Sequence, residues 1–293
     1  MMAVVQAVRQ RVPASVAARL RRRAPVWFYA LAGAVALLSL FPTLWLFVTS
    51  IKPSAQIYAW PPVYLPLRPT LDNYRHLLQS ADLVRYILNS VIVSGAATLG
   101  VLALGGLAAY SLARLRYRGR RAIMVGLLAV SMFPVMAIIP SLFLFFRHLG
   151  LINTYPGLIL GHTALFLPMG IWILANYFKT IPVEMEEAAR VDGCSPVRTL
   201  WSVILPLAVP GLVAAGLIVF IMSWNEFAMA LVLLSKNELR TAVVGISLYP
   251  GEYAFPWETI SAATFLSILP LLVLTFVFQR YIVGGLTAGA TKM

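Results

Sequence analysis

The acidic residues of this chain lie closest together in and just before one stretch, EEAARVDGCSPVRTLWSVILPL, at residues 186–207. The 293 residues include only 10 Asp and Glu and 3 His, so chemistry that needs clustered ionisable groups has few possible locations. The histidines at 76, 148 and 162 are too scattered to indicate a zinc site. The sequence contains neither a G-x-x-x-x-G-K-[ST] phosphate loop nor a G-x-S-x-G nucleophile elbow. These features favour a binding or transport role over catalysis.

The acidic stretch is predicted to form two short helices joined by a corner. Pro182 suits the first turn of a helix, because its missing N–H is not needed there. Gly193 can adopt the left-handed conformation that ends a helix. Ser195 can cap the next helix and Pro196 can begin it. The pattern therefore predicts a helix–turn–helix rather than a loose connection.

The spacing of apolar residues predicts an apolar face on each helix. The apolar face of the first helix is expected to hold Ile181, Met185, Ala188 and Ala189. The apolar side of the second is expected to hold Val197, Leu200, Trp201 and Ile204. A flat apolar patch flanked by carboxylates suits docking to another protein. The alternative is an interfacial helix resting on lipid headgroups, but carboxylates fit poorly on an anionic membrane surface.

The composition places these helices in a membrane protein. Hydrophobic residues make up 60% of the chain and charged residues only 11%, against about 25% charged residues in soluble domains. A membrane span needs about 20 apolar residues. Six stretches without Asp, Glu, Lys or Arg are long enough, and each predicts one transmembrane helix: Ala24–Ile51, Tyr86–Ala113, Ala122–Phe146, His148–Phe178, Thr199–Asn225 and Thr259–Gln279.

The distribution of basic residues predicts the orientation. Most of the 23 lysines and arginines lie in the N-terminal arm and in the segments after the second, fourth and sixth spans. Basic residues mark the cytoplasmic side, so both termini and the acidic stretch are expected to be cytoplasmic. The net charge of +13 then needs no nucleic acid partner. The single cysteine, Cys194, lies on the reducing side and is expected to be inert.

The sequence also predicts bends within the spans and the positions of the external segments. The third and fourth spans contain internal prolines, and each predicts a break or bend in its helix: Pro134, Pro140 and Pro168. External segments are expected at Lys52–Arg85, Arg147–Tyr155 and Ser235–Glu258. The first of these is proline-rich, and we expect it to be ordered but irregular.

The acidic stretch resembles a known family signature. The spacing of Glu187-Ala188-Ala189, Gly193 and Leu205-Pro206 resembles the EAA motif of permease subunits in bacterial ABC importers. Val203, where isoleucine is usual, and Cys194, where alanine is common, are mild departures. The segments "NSVIVSGAATLGVLALGGLAAYSLARLRYRGR", "MSWNEF" and "QRYIVGGLTAGATKM" resemble the sugar-importer branch, and specifically the maltose-type second permease subunit. The resemblance runs from Trp27 to Met293.

This resemblance implies a fold and a function. The fold would be an all-α integral membrane protein with six transmembrane helices, the type I ABC importer permease fold with a cytoplasmic coupling helix. The domains would be a basic arm (1–24), a membrane domain (25–284) with a coupling region (182–206) and an external loop (235–258), and a cytoplasmic tail (285–293). The function would be import of a disaccharide or oligosaccharide across the plasma membrane by alternating access.

The resemblance also implies the partners. The chain would be non-catalytic and bind no cofactor, with ATP and Mg held by a partner ATPase. It would work in the lipid bilayer with a second, related permease as a heterodimer, two copies of the ATPase and an extracytoplasmic binding protein. No nucleic acid partner is expected. The alternatives are a permease for a non-sugar solute, an ion-coupled secondary carrier or a membrane enzyme.

The resemblance implies three groups of site residues in this chain. Glu187 would meet a basic residue of the ATPase. The residues expected to couple to the ATPase are Glu187, Ala188, Ala189, Asp192, Gly193, Leu205 and Pro206. The tail residues expected between the ATPase subunits are Leu286, Thr287 and Gly289. The external-loop residues expected to reach the binding protein are Gly251, Tyr253 and Trp257.

A possible translocation path is indicated by residue type alone. Aromatic rings can stack on sugars, and amide and imidazole groups can hydrogen-bond to them, although packing inside the bundle explains the same residues. The candidates are Trp224, Asn225, Glu226, His162 and Trp172. Glu226 is expected near the external end of the fifth span, lining a gate or bonding within the bundle rather than carrying protons.

Overall fold

The computed structural model describes residues 26–80, 82–249 and 255–287, with residues 282–287 described as backbone only. The described residues form helices joined by short segments, with no β-strand among them. The chain divides into two compact units, Met1–Val48 and Thr49–Met293. The described part of the first unit belongs to helix α1, Val26–Ser50, which is apolar throughout and has Pro42 inside it. Its 25 residues are enough to cross a bilayer.

The remaining helices follow in chain order. Between α1 and the next long helix lie two short ones, so the external segment predicted to be irregular is partly helical. A π-helix at Leu200–Ile204 and a 3₁₀-helix at Asn237–Leu239 interrupt the α-helical series. The α-helices are α2 Ser54–Ile57, α3 Asp72–Gln79, α4 Asp82–Arg114, α5 Arg120–Ser131, α6 Val135–His148, α7 Tyr155–Phe178, α8 Glu184–Val191, α9 Pro196–Thr199, α10 Leu205–Leu207, α11 Val209–Trp224, α12 Ala228–Leu233, α13 Ala242–Ser247 and α14 Trp257–Thr287.

Four of these helices are long and apolar enough to cross a membrane, namely α1, α4, α7 and α14. The two other predicted spans are bent pairs of helices, so the described residues contain six spans if each bent pair is counted as one. In the first pair, α5 and α6 meet at 92° where Pro134, which has no N–H to donate, precedes α6. In the second, the segment from α9 to α10 meets α11 at 78° at Ala208, just before Pro210. Proline explains both bends.

The core of the second unit is formed by α4, α7 and α11, with α4 and α7 packed most extensively. One buried cluster lies at the end of α4 that carries Arg114 and includes Phe178 and Ile204. Another joins α7 to α12 and includes Leu158 and Met229. The helices approach closely at Gly170 of α7, where a Cβ atom would overlap the side chain of Val101. A glycine is therefore required at this crossing.

The first part of the external loop is tied to the N-terminal part of α4. The Oγ of Ser90 accepts a hydrogen bond from the Ala242 N–H at 2.8 Å. The side-chain amide of Asn89 donates to the carbonyls of Glu238 and Arg240 at 2.9 and 2.8 Å. The predicted external loop, residues 235–258, therefore contains a 3₁₀-helix and α13, and hydrogen bonds join it to α4.

The α4–α7 crossing gives a test of packing. We expect Gly170→Ala to lower the free energy of unfolding by about 1–3 kcal/mol, because the added methyl group overlaps Val101 in a filled core. Unfolding of the purified protein in detergent measures this. Gly95→Ala in α4 is the matched control, since a Cβ there meets no atom within 4 Å. Equal stability of the two variants would contradict the close approach, and Val101→Ala should restore part of the loss in the Gly170→Ala background.

Candidate functional site

The predicted helix–turn–helix is present, and its corner is a Schellman motif. Gly193 has a φ of 79°, in the left-handed region that favours glycine. The N–H of Cys194 donates to the carbonyl of Ala189 at 2.9 Å, and that of Gly193 to Arg190 at 3.0 Å. The Oγ of Ser195 then accepts from the Arg198 N–H at 3.4 Å and caps α9. The end of α8 and the start of α9 are thus fixed locally, as predicted.

The predicted apolar face of the first helix is partly buried and partly exposed. Ala189 is buried, but Met185 is 46% exposed and Ala188 is also exposed. Ile181 is also buried, at 7% exposure, although it precedes α8, which begins at Glu184. The other buried residue of α8 is Glu186, which is only 2% exposed. Sequence pattern alone gave no reason to bury a carboxylate.

Glu186 is buried because it meets an arginine from α4. The Glu186 Oε1 lies 2.6 Å from the Nε of Arg114, and the two side chains are 3% and 7% exposed. The Nε–H is not aligned for a hydrogen bond to this oxygen, so the contact is electrostatic. The Nη2 of Arg114 donates to the carbonyl of Ile181 at 2.6 Å. Arg114 therefore holds the backbone just before α8 and a side chain within it.

The predicted apolar side of the second helix is split between two faces. Leu200 and Ile204 are buried at the end of α4 and α7, whereas Val197 and Trp201 are 67% and 62% exposed. Residues Leu200–Ile204 form a π-helix, in which the N–H of Leu205 donates to the carbonyl of Leu200. Its wider turn changes the angular spacing of the side chains.

We name the exposed part of α8, α9 and the π-helix the corner surface. It combines carboxylates with apolar side chains, because Val191 is 89% exposed and stands beside Asp192. The residues that make up this surface are Glu187, Ala188, Val191, Asp192, Val197 and Trp201. Among the predicted coupling residues, Gly193 and Pro206 are also exposed, Leu205 is partly buried and Ala189 is buried.

The path candidates separate into two places. His162 is fully buried, with its Nδ1 2.8 Å from the Ser223 Oγ and its Nε2 3.2 Å from the Glu226 Oε2. The carboxylate of Glu226 also accepts the N–H groups of Met229 and Ala230 at 2.9 and 3.1 Å. Glu226 therefore caps α12 and bonds within the bundle, which is one of its two predicted roles.

Trp224 and Asn225 line a cleft between α11, α13 and α14 with a volume of about 500 Å³. Its aromatic walls include Trp257, whose side chain is 52% exposed, and Phe255. Ser247, Thr264 and Ser267 line it as well, and the hydroxyl of each donates to a backbone carbonyl of its own helix. Trp172 is 40% exposed on α7 and is not part of this cleft. Sequence reasoning missed Phe255 and the three hydroxyl residues, whose closeness depends on the helix arrangement.

A second cavity of about 550 Å³ lies between α3, α4, α13 and α14. It is more polar, and its lining includes His76, Asp82, Tyr86, Asn237 and Arg240. No sequence signal indicated it, because its walls come from distant parts of the chain.

The remaining predicted site residues lie at or beyond the edges of the described structure. Gly251, Tyr253 and Gly289 lie outside the described residues. Leu286 and Thr287 belong to the end of α14, where only the backbone is described. The helix thus continues past residue 284, the predicted end of the membrane domain.

The capping role of Glu226 can be tested by stability. We expect Glu226→Ala to lower the free energy of unfolding by about 2–4 kcal/mol, because it removes a helix cap and leaves buried donors without an acceptor. Glu226→Gln keeps a carbonyl acceptor and should lose less. Unfolding in detergent, with the exposed Glu238→Ala as control, measures both. A Glu226→Ala protein as stable as the control would contradict the network.

Comparison with known proteins identifies the family. Residues 101–287 match the family described as "Binding-protein-dependent transport system inner membrane component". The chain is 41% identical over 253 residues to the sulfoquinovosyl glycerol transport system permease protein SmoH of Agrobacterium fabrum, covering 86% of this chain and 89% of that protein. It is 39% identical over 261 residues to the trehalose/maltose transport system permease protein MalG of Thermococcus litoralis, covering 88% and 93%.

A solved structure agrees with this assignment. The crystal structure of a bacterial ABC transporter involved in the import of the acidic polysaccharide alginate contains a similar chain, with a TM-score of 0.75 and 28% identity. The match covers 87% of this chain and 95% of that one. The bent helix pairs, the EAA-type corner and these similarities lead to one conclusion: the chain belongs to the family of inner-membrane components of binding-protein-dependent transport systems.

Proposed function

We propose that this chain is a permease subunit of an ABC importer for a carbohydrate. Relatives named for sulfoquinovosyl glycerol, trehalose/maltose, trehalose and diacetylchitobiose transport support the substrate class. The chain forms half of an alternating-access path across the plasma membrane. It pairs with a second, related permease, two copies of an ATPase that binds ATP and Mg, and an extracytoplasmic binding protein. Both termini and the corner surface face the cytoplasm.

The observation that carries this proposal is the contrast between two neighbouring glutamates. Glu186 faces Arg114 inside the protein, whereas Glu187 is exposed on the corner surface. Exposed apolar side chains around Glu187 and Asp192 make a patch that a protein partner can cover. A basic residue of the ATPase facing Glu187 would match this charge. The corner surface is therefore the proposed ATPase-docking site.

The cleft beside Trp224 is the proposed contribution of this subunit to the sugar path. Its volume of about 500 Å³ is within the range of small-molecule sites. Flat aromatic faces beside hydroxyl and amide groups suit a sugar, which has apolar C–H faces and polar edges. His162 and Glu226 would support this region by fixing α12 rather than by touching the solute.

The external loop and the tail are proposed to contact the other subunits of the importer. Gly251, Tyr253 and Trp257 would reach the binding protein, and the anchoring of the chain by Asn89 and Ser90 supports a firm base for that loop. Leu286, Thr287 and Gly289 would contact the ATPase from the end of α14.

The docking role predicts the effect of Glu187→Ala. Removing one partner of an interface ion pair costs about 3–5 kcal/mol, which lowers the affinity for the ATPase by about 100-fold or more. We expect loss of binding-protein-stimulated ATP hydrolysis and of uptake in proteoliposomes, while the isolated ATPase still binds nucleotide. The panel of solutes is trehalose, maltose, diacetylchitobiose and sulfoquinovosyl glycerol.

Glu184→Ala is the matched control, because it removes the same charge from the exposed start of α8. If Glu187→Ala retains full stimulation, the docking role is wrong. If no sugar stimulates hydrolysis but another solute does, the chain is a permease for a different substrate class.

The cleft predicts a separate effect on substrate affinity. We expect Trp257→Ala to raise the KM for sugar uptake by about 2- to 10-fold, because an aromatic contact is worth about 0.5–1.5 kcal/mol. Trp257→Phe should retain most of the affinity. Trp60→Ala is the control, since Trp60 is 90% exposed and does not line the cleft. An unchanged KM in Trp257→Ala, with normal docking of the binding protein, would exclude this ring from the path.

A further inference from the structure

α4 connects the two ends of the molecule that the proposed function uses. It has 33 residues and therefore a length of about 50 Å at 1.5 Å per residue. Arg114 at its end holds α8, and Asn89 and Ser90 near its start hold the chain that leads to the external loop. One element thus touches both the proposed ATPase side and the proposed binding-protein side.

α4 is also the long helix best suited to transmit a displacement. Among the described helices longer than 20 residues, the others contain an internal proline: Pro42 in α1, Pro168 in α7 and Pro270 in α14. α4 contains none, so its ladder of backbone hydrogen bonds can be continuous. A helix without such breaks moves as a unit more readily than one with a built-in bend.

The link between α4 and α8 is made by Arg114 at two points. Its Nη2 donates to the Ile181 carbonyl at 2.6 Å, before α8 begins, and its Nε lies 2.6 Å from the Glu186 Oε1 within α8. Two contacts restrict both translation and rotation of α8 relative to α4. Both side chains are more than nine-tenths buried, so water cannot replace either partner.

The positive charge of Arg114 and the negative charge of Glu186 compensate each other inside the protein. Arg114 and Glu186 are 7% and 3% exposed, whereas the side chains of the Arg75–Asp72 pair are 75% and 78% exposed. Tyr110, one turn before Arg114, is 7% exposed and belongs to the buried cluster at this end of α4. If either charge is removed, the other is left buried without compensation.

We propose that Arg114 and Glu186 form a strut that carries movement of α8 into α4 and so to the external loop. This inference rests on the proposed function, in which the ATPase moves the corner surface. It assigns to Glu186 a positioning role different from the docking role of Glu187. Docking without the strut would permit ATP hydrolysis but not the accompanying change at the external end.

The first test measures ATP hydrolysed per sugar taken up by the complete complex in proteoliposomes. The transported probe is whichever of the four sugars above the wild-type complex takes up. We expect Glu186→Gln and Arg114→Gln to raise this ratio by about 5-fold or more, the lower range of allosteric coupling factors. A merely structural defect lowers hydrolysis and uptake together and leaves the ratio unchanged. The reversed pair, Arg114→Glu with Glu186→Arg, should recover part of the coupling.

The second test does not require a known sugar. Cys194, the only cysteine, is replaced by alanine, and Lys236→Cys introduces a thiol on the exposed chain beside the anchored segment. A non-hydrolysable ATP analogue should change the labelling rate of this thiol in the complex. In the Glu186→Gln background the change should be lost, whereas Glu184→Gln should preserve it.

Arg114→Lys covers the case in which the glutamine variants fail to assemble. It keeps a buried positive charge but lacks the forked group that reaches both partners, so we expect an intermediate ratio. The strut is wrong if assembled single variants keep both the wild-type ratio and the labelling response. Failure of the proposed function looks different, because then the wild-type complex itself shows no solute-stimulated hydrolysis.

Discussion

A charge removed from water must find an opposite charge or hydrogen bonds in the protein, and this requirement organises the second unit. Glu186 approaches Arg114, and Glu226 approaches His162 and two backbone N–H groups. Each contact joins separate elements: α8 to α4 in one case, and α7 to the start of α12 in the other. The apolar surfaces favour helix contact in general, while these polar pairs select which residues meet.

Bent and straight helices have complementary parts in this arrangement. Backbone groups released at a bend must be satisfied within a membrane protein, so bends are restricted to places where neighbours supply partners or space. The bends before α6 and α11 occur next to Pro134 and Pro210. α4 has no such interruption and packs against both α7 and α11. The second unit therefore combines a long helix without proline, α4, with two bent helix pairs.

Much of this structure follows from local rules that the sequence expresses directly. Long apolar runs predicted the membrane helices, and Gly193, Ser195 and Pro196 predicted the corner, because cap and turn preferences act over a few residues. The bend angles and the π-helix were not predictable, since several backbone paths satisfy the same apolar pattern. Pro134 and Pro140 predicted a break or bend in the third span, whereas the bend within the fifth span was not predicted.

At the candidate sites, the sequence mainly failed to predict contacts between residues that are far apart in the chain. Arg114 was grouped with the other basic residues that follow the second span, and Glu186 with its acidic neighbours. Their pairing depends on where α4 ends relative to α8, which is a property of the packed helices. For the same reason, residue type identified the candidates for the translocation path but not which of them line the cleft. Trp224 and Asn225 line it, whereas His162 and Glu226 contact each other outside it.

The adjacent glutamates of α8 imply a constraint on chain length rather than on composition. Successive helical residues point about 100° apart, so Glu186 and Glu187 face different surroundings only while the register from Phe178 through α8 is kept. Insertion or deletion of one residue in this interval would turn Glu186 outward and direct another side chain at Arg114. Substitutions on the exposed face leave that register intact. As related sequences diverge, the segment from Phe178 through α8 can therefore accept substitutions far more readily than insertions or deletions.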